Sequence, residues 1–488
     1  MDSAILSKHP SVAWVSSKEL SDRVDSFVYK WDILENDKLF SNNKEFFELE
    51  ELLLENHRGK GIAFNGSNIE GVPILKVRNL SNYGIQFEGV DLIAKEEAKK
   101  NEKFQALKGD VLLAVTGEGS LGKVDLYLED FPTNVDGHVC ILRPKKDRLD
   151  SGYLKAFIQS YYGQVFIRKY TIGSTGQTEL YSKDINKIRI FIPSSFEIQE
   201  YIGDKVRKAN TLRNEAKNLR EAAYKLFNKH INLEYQSSSH NGFNVRRKKP
   251  LVIKVSPDNL GDRLTANSYN LKYLAMTDLK MQKLTKFIPL GKLAEITAMV
   301  GWKNLSTKDY VHKGGIHLLR VQEIKKEYVT ISKNTVMVSK EKVEEQPQIQ
   351  LKKNDLVFSK DGSLGFAAVI SEELNDTYKM CTSSTLARIR LLKEINPYYL
   401  NLVLNSDVIK AQISYYLSGI AQPHINQEYI KQLEIPILDE FIQEQIGEKM
   451  RMYEKASKQS LELITEAKKD VEDLIKATFD ESKLIKQQ

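Results

Sequence analysis

The chain has 488 residues, 41% hydrophobic and 28% charged, enough for two or three domains that each bury a core. Its formal net charge of +7 is a mild basic excess, compatible with an anionic partner but no proof of one. Two distant cysteines, Cys140 and Cys381, exclude a disulfide framework and fit a reducing setting; there is no basic-then-apolar leader, and no apolar run approaches the ~18–20 residues of a membrane span, so a cytoplasmic protein is expected.

In chain order, Leu20-Ser21-Asp22-Arg23 opens the first recognisable block. The run Ile74-Leu75-Lys76-Val77 follows. Val111 to Val115 is apolar and β-branched and predicts a strand. It runs into Gly119-Ser120-Leu121-Gly122, whose glycines suit a tight turn with positive φ. Tyr153 to Tyr161 reads as a helix, and Ile188 to Ile192 alternates as a strand does. After Pro193 the apolar residues Ile198, Ile202, Val206, Ala209, Leu212, Ala216, Leu219, Ala223 and Leu226 fall at spacings of three and four. That stripe predicts one long helix of about 50 Å that needs a partner. Gln236 to Pro250 is polar and turn-rich and reads as a linker.

The blocks then recur in the same order. Leu260-Gly261-Asp262-Arg263 stands 240 residues after its counterpart, and Leu318 to Val321 answers Ile74 to Val77. Gly362-Ser363-Leu364-Gly365 repeats the turn letter for letter, and Pro397 to Asn405 repeats the helix. Ile198-Gln199-Glu200-Tyr201-Ile202-Gly203 returns as Ile442-Gln443-Glu444-Gln445-Ile446-Gly447. A second stripe follows Pro436: Ile442, Ile446, Met450, Tyr453, Leu461, Ile464, Val471 and Leu474, weak at Ser457 and Lys468. A unit near 244 residues has been duplicated, which is too long for a solenoid repeat. The expected fold is α+β: two homologous mixed α/β domains separated by two long antiparallel coiled-coil helices with pseudo-two-fold symmetry. Such a dyad matches those that B-DNA carries across its axis. The expected boundaries are 1–197 and 256–440 for the domains, 198–235 and 441–488 for the helices, and 236–255 for the linker.

A duplicated globular-plus-helix unit with these motifs resembles the specificity subunits of Type I restriction–modification systems. The marks are the two Gly-Ser-Leu-Gly turns, the segments Gly173 to Gln177 and Ser418 to Ile425 ahead of Ile-rich strands, and the twice-used helix opening Ile-Gln-Glu-x-Ile-Gly. The resemblance covers nearly the whole chain. It implies two target-recognition domains that each read half of a split DNA site, with the helices as spacer and dock. It also implies partners: double-stranded DNA, modification subunits (two of them) and restriction/translocase subunits. No cofactor is expected in this chain, since S-adenosylmethionine belongs to the modification subunits, which methylate an adenine in each half. The chain itself is expected to be non-catalytic.

Sequence is read in the major groove by paired donors and acceptors, and phosphates are held by Lys, Arg, hydroxyls and loop amides. The candidates in the first domain are Lys76, Arg78 and Lys123, then Ser174, Thr175, Gln177, Thr178 and Tyr181 in a small, polar loop. The second-domain candidates are Arg320, Gln322, Lys360, Gln422, His424 and Asn426. The plainer reading leaves Lys76 and Arg78 solvating an exposed strand, and makes the Gly-Ser-Leu-Gly turns fold-defining. The run Arg246 to Lys249 is read as a solvated piece of linker.

Other chemistries fit less well. Gly117 to Val124 approaches a phosphate-binding loop, but Val124 lacks the hydroxyl that magnesium needs. Asn396-Pro397-Tyr398-Tyr399 lacks the second proline of an amino-methyltransferase motif and reads as a helix start. The histidines show no metal-ligand spacing. A Type IIB-like bipartite system uses the same architecture with other partners, and a coiled-coil scaffold with no DNA role is the alternative of a different class.

Overall fold

The structure is a computed structural model that describes residues 15, 20, 25–41, 45–62, 71–173, 178–231, 285–299, 305, 307–325, 327–416 and 424–485. The expected linker, and the blocks beginning at Ser21 and Leu260, lie outside these residues. The chain divides into two units. One is Met1–Arg213 with Ser238–Phe243 and Gln459–Gln488, and the other is Asn214–Ser237 with Asn244–Lys458. Each therefore takes part of both long helices.

In the first unit the predicted strand is Val111–Ala114, buried at every position. It is a central member of an antiparallel sheet ordered Leu53–Arg58, Val139–Pro144, Val111–Ala114, Val124–Leu126. A second sheet pairs Gly71–Leu75 in parallel with Thr133–Val135 and is flanked by Asp91–Ala94 and Gln105–Ala106. The expected helix from Tyr153 is in fact two helices, Ser151–Gln159 and Tyr161–Tyr170. Ser160 separates them, because its extended backbone closes the first while its side chain accepts from the Gly163 amide of the second.

The second unit repeats this plan. Ala294–Ala298, Leu386–Leu391, Leu356–Ser359 and Ala367–Val369 are neighbours in that order, and two short strands extend the edge. Ile316–Leu319 pairs in parallel with Met380–Thr382. Helices Pro397–Asn405 and Asp407–Tyr416 follow. Finer contacts recur too. Tyr153 Oη donates to the Phe191 carbonyl and Tyr399 Oη to the Pro436 carbonyl, each at 2.7 Å. Arg143 grips Asp110 through two nitrogens, as Arg390 grips Asp355.

The long helices are Phe196–His230 and Glu440–Ile475. Ile198, Ile202, Val206, Ala209, Ala216 and Ala223 of the predicted stripe are buried. At its end Phe227 is buried and Leu226 only partly so, because a straight helix drifts from a strict heptad. On the second helix Ala456, Ser460, Ala467 and Asp470 are buried, filling the gaps around Ser457 and Lys468.

In the first unit the two helices run antiparallel. Lys205 Nζ meets Asp470 Oδ2 at 2.6 Å, and Ser460 Oγ donates to the Ala209 carbonyl at 2.7 Å. Ile464, Ala467 and Val471 join the same core as Ile202, Phe157 and Leu113. Such a large side chain stabilises by roughly 1.5–3 kcal/mol when fully buried. The buried Lys205–Asp470 pair does less for stability than for register, since desolvation offsets most of its attraction. In the second unit Arg220 donates to Glu327 through Nε and Nη2, and Tyr224 Oη donates to it at 2.9 Å.

The twice-used helix opening has a physical cause. Asp150 caps Ser151–Gln159, and Asn396 caps Pro397–Asn405. Each cap lies against the glycine of its unit's long helix. A Cβ at Gly203 would stand 1.9 Å from Asp150 Oδ1, and one at Gly447 would stand 2.2 Å from Asn396 Oδ1. Asn396 thereby serves as the helix start expected of it. A Gly→Ala change inside an exposed helix stabilises by about 1 kcal/mol. Here Gly203→Ala and Gly447→Ala should each instead destabilise by about 1–2 kcal/mol, the worth of a displaced cap. Denaturant titration of each variant checks the sign.

Candidate nucleic-acid interface

The candidate residues follow the C-terminal ends of strands. In the first unit Lys76 follows Gly71–Leu75, Thr116 lies just beyond Val111–Ala114, and Asp136 to His138 follow Thr133–Val135. Backbone hydrogen bonds stitch these ends together. The Asp136 amide donates to the Leu75 carbonyl at 2.8 Å, Val115 to His138 at 3.0 Å, and Leu180 to Val115 at 2.9 Å. Thr116 and Glu179 form a β-bridge. The segments at 76–78, 116–123 and 178–181 are thus held in one region, though far apart in sequence.

The second unit builds the same relay. Ser383 donates to Leu319 at 2.9 Å, Lys360 to Thr385 at 3.0 Å, and Ile425 to Lys360 at 3.0 Å. Asp361 and His424 form the matching bridge. Gly119 and Gly362 both adopt φ +72°, and Gly122 and Gly365 adopt +84° and +77°. Only glycine takes such values without strain, so the repeated turn shapes the backbone.

The frame is shared but the side chains on it differ. Lys76 Nζ lies 2.9 Å from Asp91 Oδ2, and Arg78 Nη2 lies 2.5 Å from Oδ1. Partial burial works against ionisation of Asp91, but the two cations hold its carboxyl below the usual range. Arg78 keeps 55% of its side chain exposed. Lys123 Nζ reaches Ser120 Oγ at 3.1 Å inside the turn. The Thr178 carbonyl accepts from the Gly117 amide. Tyr181 is exposed, and the Arg58 guanidinium lies 5.3 Å from its ring centre. Ser174, Thr175 and Gln177 lie outside the described residues, as does Gln422.

In the first unit the buried Asn79 accepts from the Lys76 amide at 3.0 Å, and in the second Glu323 takes its place beneath the strand end. It accepts from the Arg320 amide at 2.9 Å, from Arg320 Nη2 at 3.3 Å and from Gln322 Nε2 at 3.0 Å. Arg320 and Gln322 are thereby held side by side. Lys360 Nζ pairs with Asp361 at 2.7 Å. Lys360 is the structural counterpart of Val115, while Phe366 takes the place of Lys123 after the turn. Asn426 Oδ1 caps Gln427–Gln432, accepting from the Tyr429 amide at 2.9 Å.

Sequence reasoning missed Arg58, His138 and Glu323. Arg58 donates to the Leu180 carbonyl at 2.8 Å and pairs with Glu179, whose carboxyl it holds below the ordinary value with help from the Tyr181 hydroxyl. Thr116 Oγ1 and His138 Nδ1 are 3.0 Å apart. The second copy has Ala298 at the strand end where the first has Arg58, so the repeat gave no signal for it.

A family model, the Type I restriction modification DNA specificity domain, matches residues 41–221 and again 282–468. No curated protein matches the sequence. Several solved structures are similar. The S subunit of a Type I restriction–modification system from M. genitalium is 14% identical with a TM-score of 0.45, over 91% of this chain and 99% of that one. The HsdS subunit from Thermoanaerobacter tengcongensis is 15% identical with a TM-score of 0.26, over 89% and 94%. A chain from a type I R-M system studied for complex assembly and conformational transition is 14% identical with a TM-score of 0.30, over 89% and 97%. The two matches to the family model span well over half of the sequence, one on each copy of the repeat, and the chain therefore belongs to the Type I restriction–modification DNA specificity family, as a non-catalytic specificity subunit whose partners are DNA and the other subunits of its system.

Proposed function

We propose that the chain reads a DNA target in two parts, one half with each unit, and fixes the gap between them with its long helices. The observation that carries this is the shared hydrogen-bond relay with different side chains on it. One backbone frame presents Lys76, Arg78, Lys123, Thr178 and Tyr181 in one copy, and Arg320, Gln322, Lys360, His424 and Asn426 in the other. Ser174, Thr175, Gln177 and Gln422 belong to the same proposed set of readers. Different donors on a common frame select different bases. Residues 1–197 and 256–440 act as the reading domains and 236–255 as the linker, while the segments 198–235 and 441–488 act as spacers through the long helices Phe196–His230 and Glu440–Ile475.

Two modification subunits dock on the helices, each carrying S-adenosylmethionine and methylating an adenine in its half. Restriction/translocase subunits join them on unmethylated DNA in the cytoplasm. No helix among the described residues is long and apolar enough to cross a membrane. A Type IIB-like partner set is not favoured, because the matched family model is that of Type I systems.

Two experiments test this reading. Exchanging residues 256–436 for the second domain of another family member should change one half of the methylated motif and leave the other intact. A change in both halves would refute independent reading. Adding seven residues at matching levels of both long helices keeps the apolar seam and lengthens them by about 10 Å. The gap should then grow by about 3 base pairs, with the bases read unchanged. Methylation mapping reads both outcomes.

A further inference from the structure

The second unit has a cavity of about 610 Å³ at the reading edge just described. Its floor is apolar, formed by residues that include Met299, Leu318 and Ile324. Two aromatic rings in its lining, Tyr310 and Phe366, remain 39% and 43% exposed. Hydroxyls come from Ser363 in the glycine turn and from Ser383 to Thr385. Arg320 also lines it. Its Nη2 is engaged by Glu323, and 29% of the side chain remains exposed.

These features select the chemistry of an occupant. A phosphate does not suit an apolar floor, because burying its charge there is costly. The occupant needs flat apolar faces for the two rings and acceptors on its edge for the guanidinium and hydroxyls. A single nucleobase has both. A guanidinium already held by Glu323 loses less freedom on meeting an acceptor than a freely moving one.

We propose that this cavity receives one base of the second half-site, turned out of the duplex, with Phe366 and Tyr310 against its faces and Arg320 at its edge. Glu323 acts as a positioning residue, because it fixes Arg320 without touching the base. The proposal rests on the two-part DNA reading above and adds deformation of the duplex to it. Opening a base pair costs a few kcal/mol and depends on which base is extruded. The second half-site is therefore read partly through the ease of unstacking.

The test uses the complete complex with its modification subunits and the target found by methylation mapping. Each base pair of the second half is altered in turn by an abasic site opposite one strand's base. A stacked, contacted position binds equally or more weakly. At the extruded position the pairing energy no longer has to be spent, and binding should tighten about tenfold or more. The methylated adenine can show its own gain through the modification subunit, so the expected result is a further position. Phe366→Ala should abolish the gain there and leave that at the methylated adenine, while Phe366→Trp should restore it. Phe366 is exposed, so its replacement leaves the fold intact. Absence of any further tightened position, or a gain that survives Phe366→Ala, overturns the cavity's role alone. A wild-type complex that selects no DNA sequence overturns the two-part reading as well.

Discussion

The contact on which each unit depends is that between a capped short helix and a glycine of a long one. Asp150 against Gly203, and Asn396 against Gly447, leave no room for a side chain. The cap fixes where the short helix begins. That helix packs behind the sheet whose strand ends carry the reading segments. Tyr153 and Tyr399 then tie the same helices to the strand leading into the long helix. The reading edge of each unit is thus set against a rigid rod by a few contacts between neighbouring elements. A reader displaced by an ångström loses its directional hydrogen bonds, so this rigidity matters more to recognition than to stability.

Electrostatics at the two edges follow one logic by different means. Exposed cations that faced only water would bind any nucleic acid, and strongly. Here Lys76 and Arg78 share Asp91, Arg58 holds Glu179, Arg320 is held by Glu323, and Lys360 holds Asp361. Each pair on the surface contributes little to stability. Its effect is to orient the cation and to make DNA compete with a carboxylate. Weaker non-specific attraction and a better-aimed donor both favour discrimination over raw affinity. The mild overall charge of the chain fits that balance.

Much of this was legible in the sequence because duplication writes each constraint twice. The Gly-Ser-Leu-Gly turns stood out since only glycine meets their positive φ. The Ile-Gln-Glu-x-Ile-Gly opening stood out since only glycine fits beneath the cap. The stripes gave two long helices, with errors where buried Phe227 and Asp470 break the simple rhythm. What stayed hidden were the contacts that leave no repeated side-chain signature. The 136–138 and 383–385 segments link the reading loops through backbone atoms, which place no demand on residue type. Arg58 acts through partners distant in sequence and stands where the second copy has Ala298, and Glu323 does with a carboxylate what Asn79 does with an amide in the first copy. The split at Ser160 escaped notice because one serine can end a helix and cap the next without breaking the apolar pattern.

The central claim is that two like frames with unlike side chains read two separate words of DNA. Genome-wide mapping of methylated bases, in cells that carry this chain with its partner subunits and in cells lacking only this chain, tests it most directly. The expected result is one motif that disappears with the chain: two short specified blocks, different in sequence, on either side of a fixed number of unread positions. A single uninterrupted motif, or a motif unchanged when the chain is absent, would contradict it.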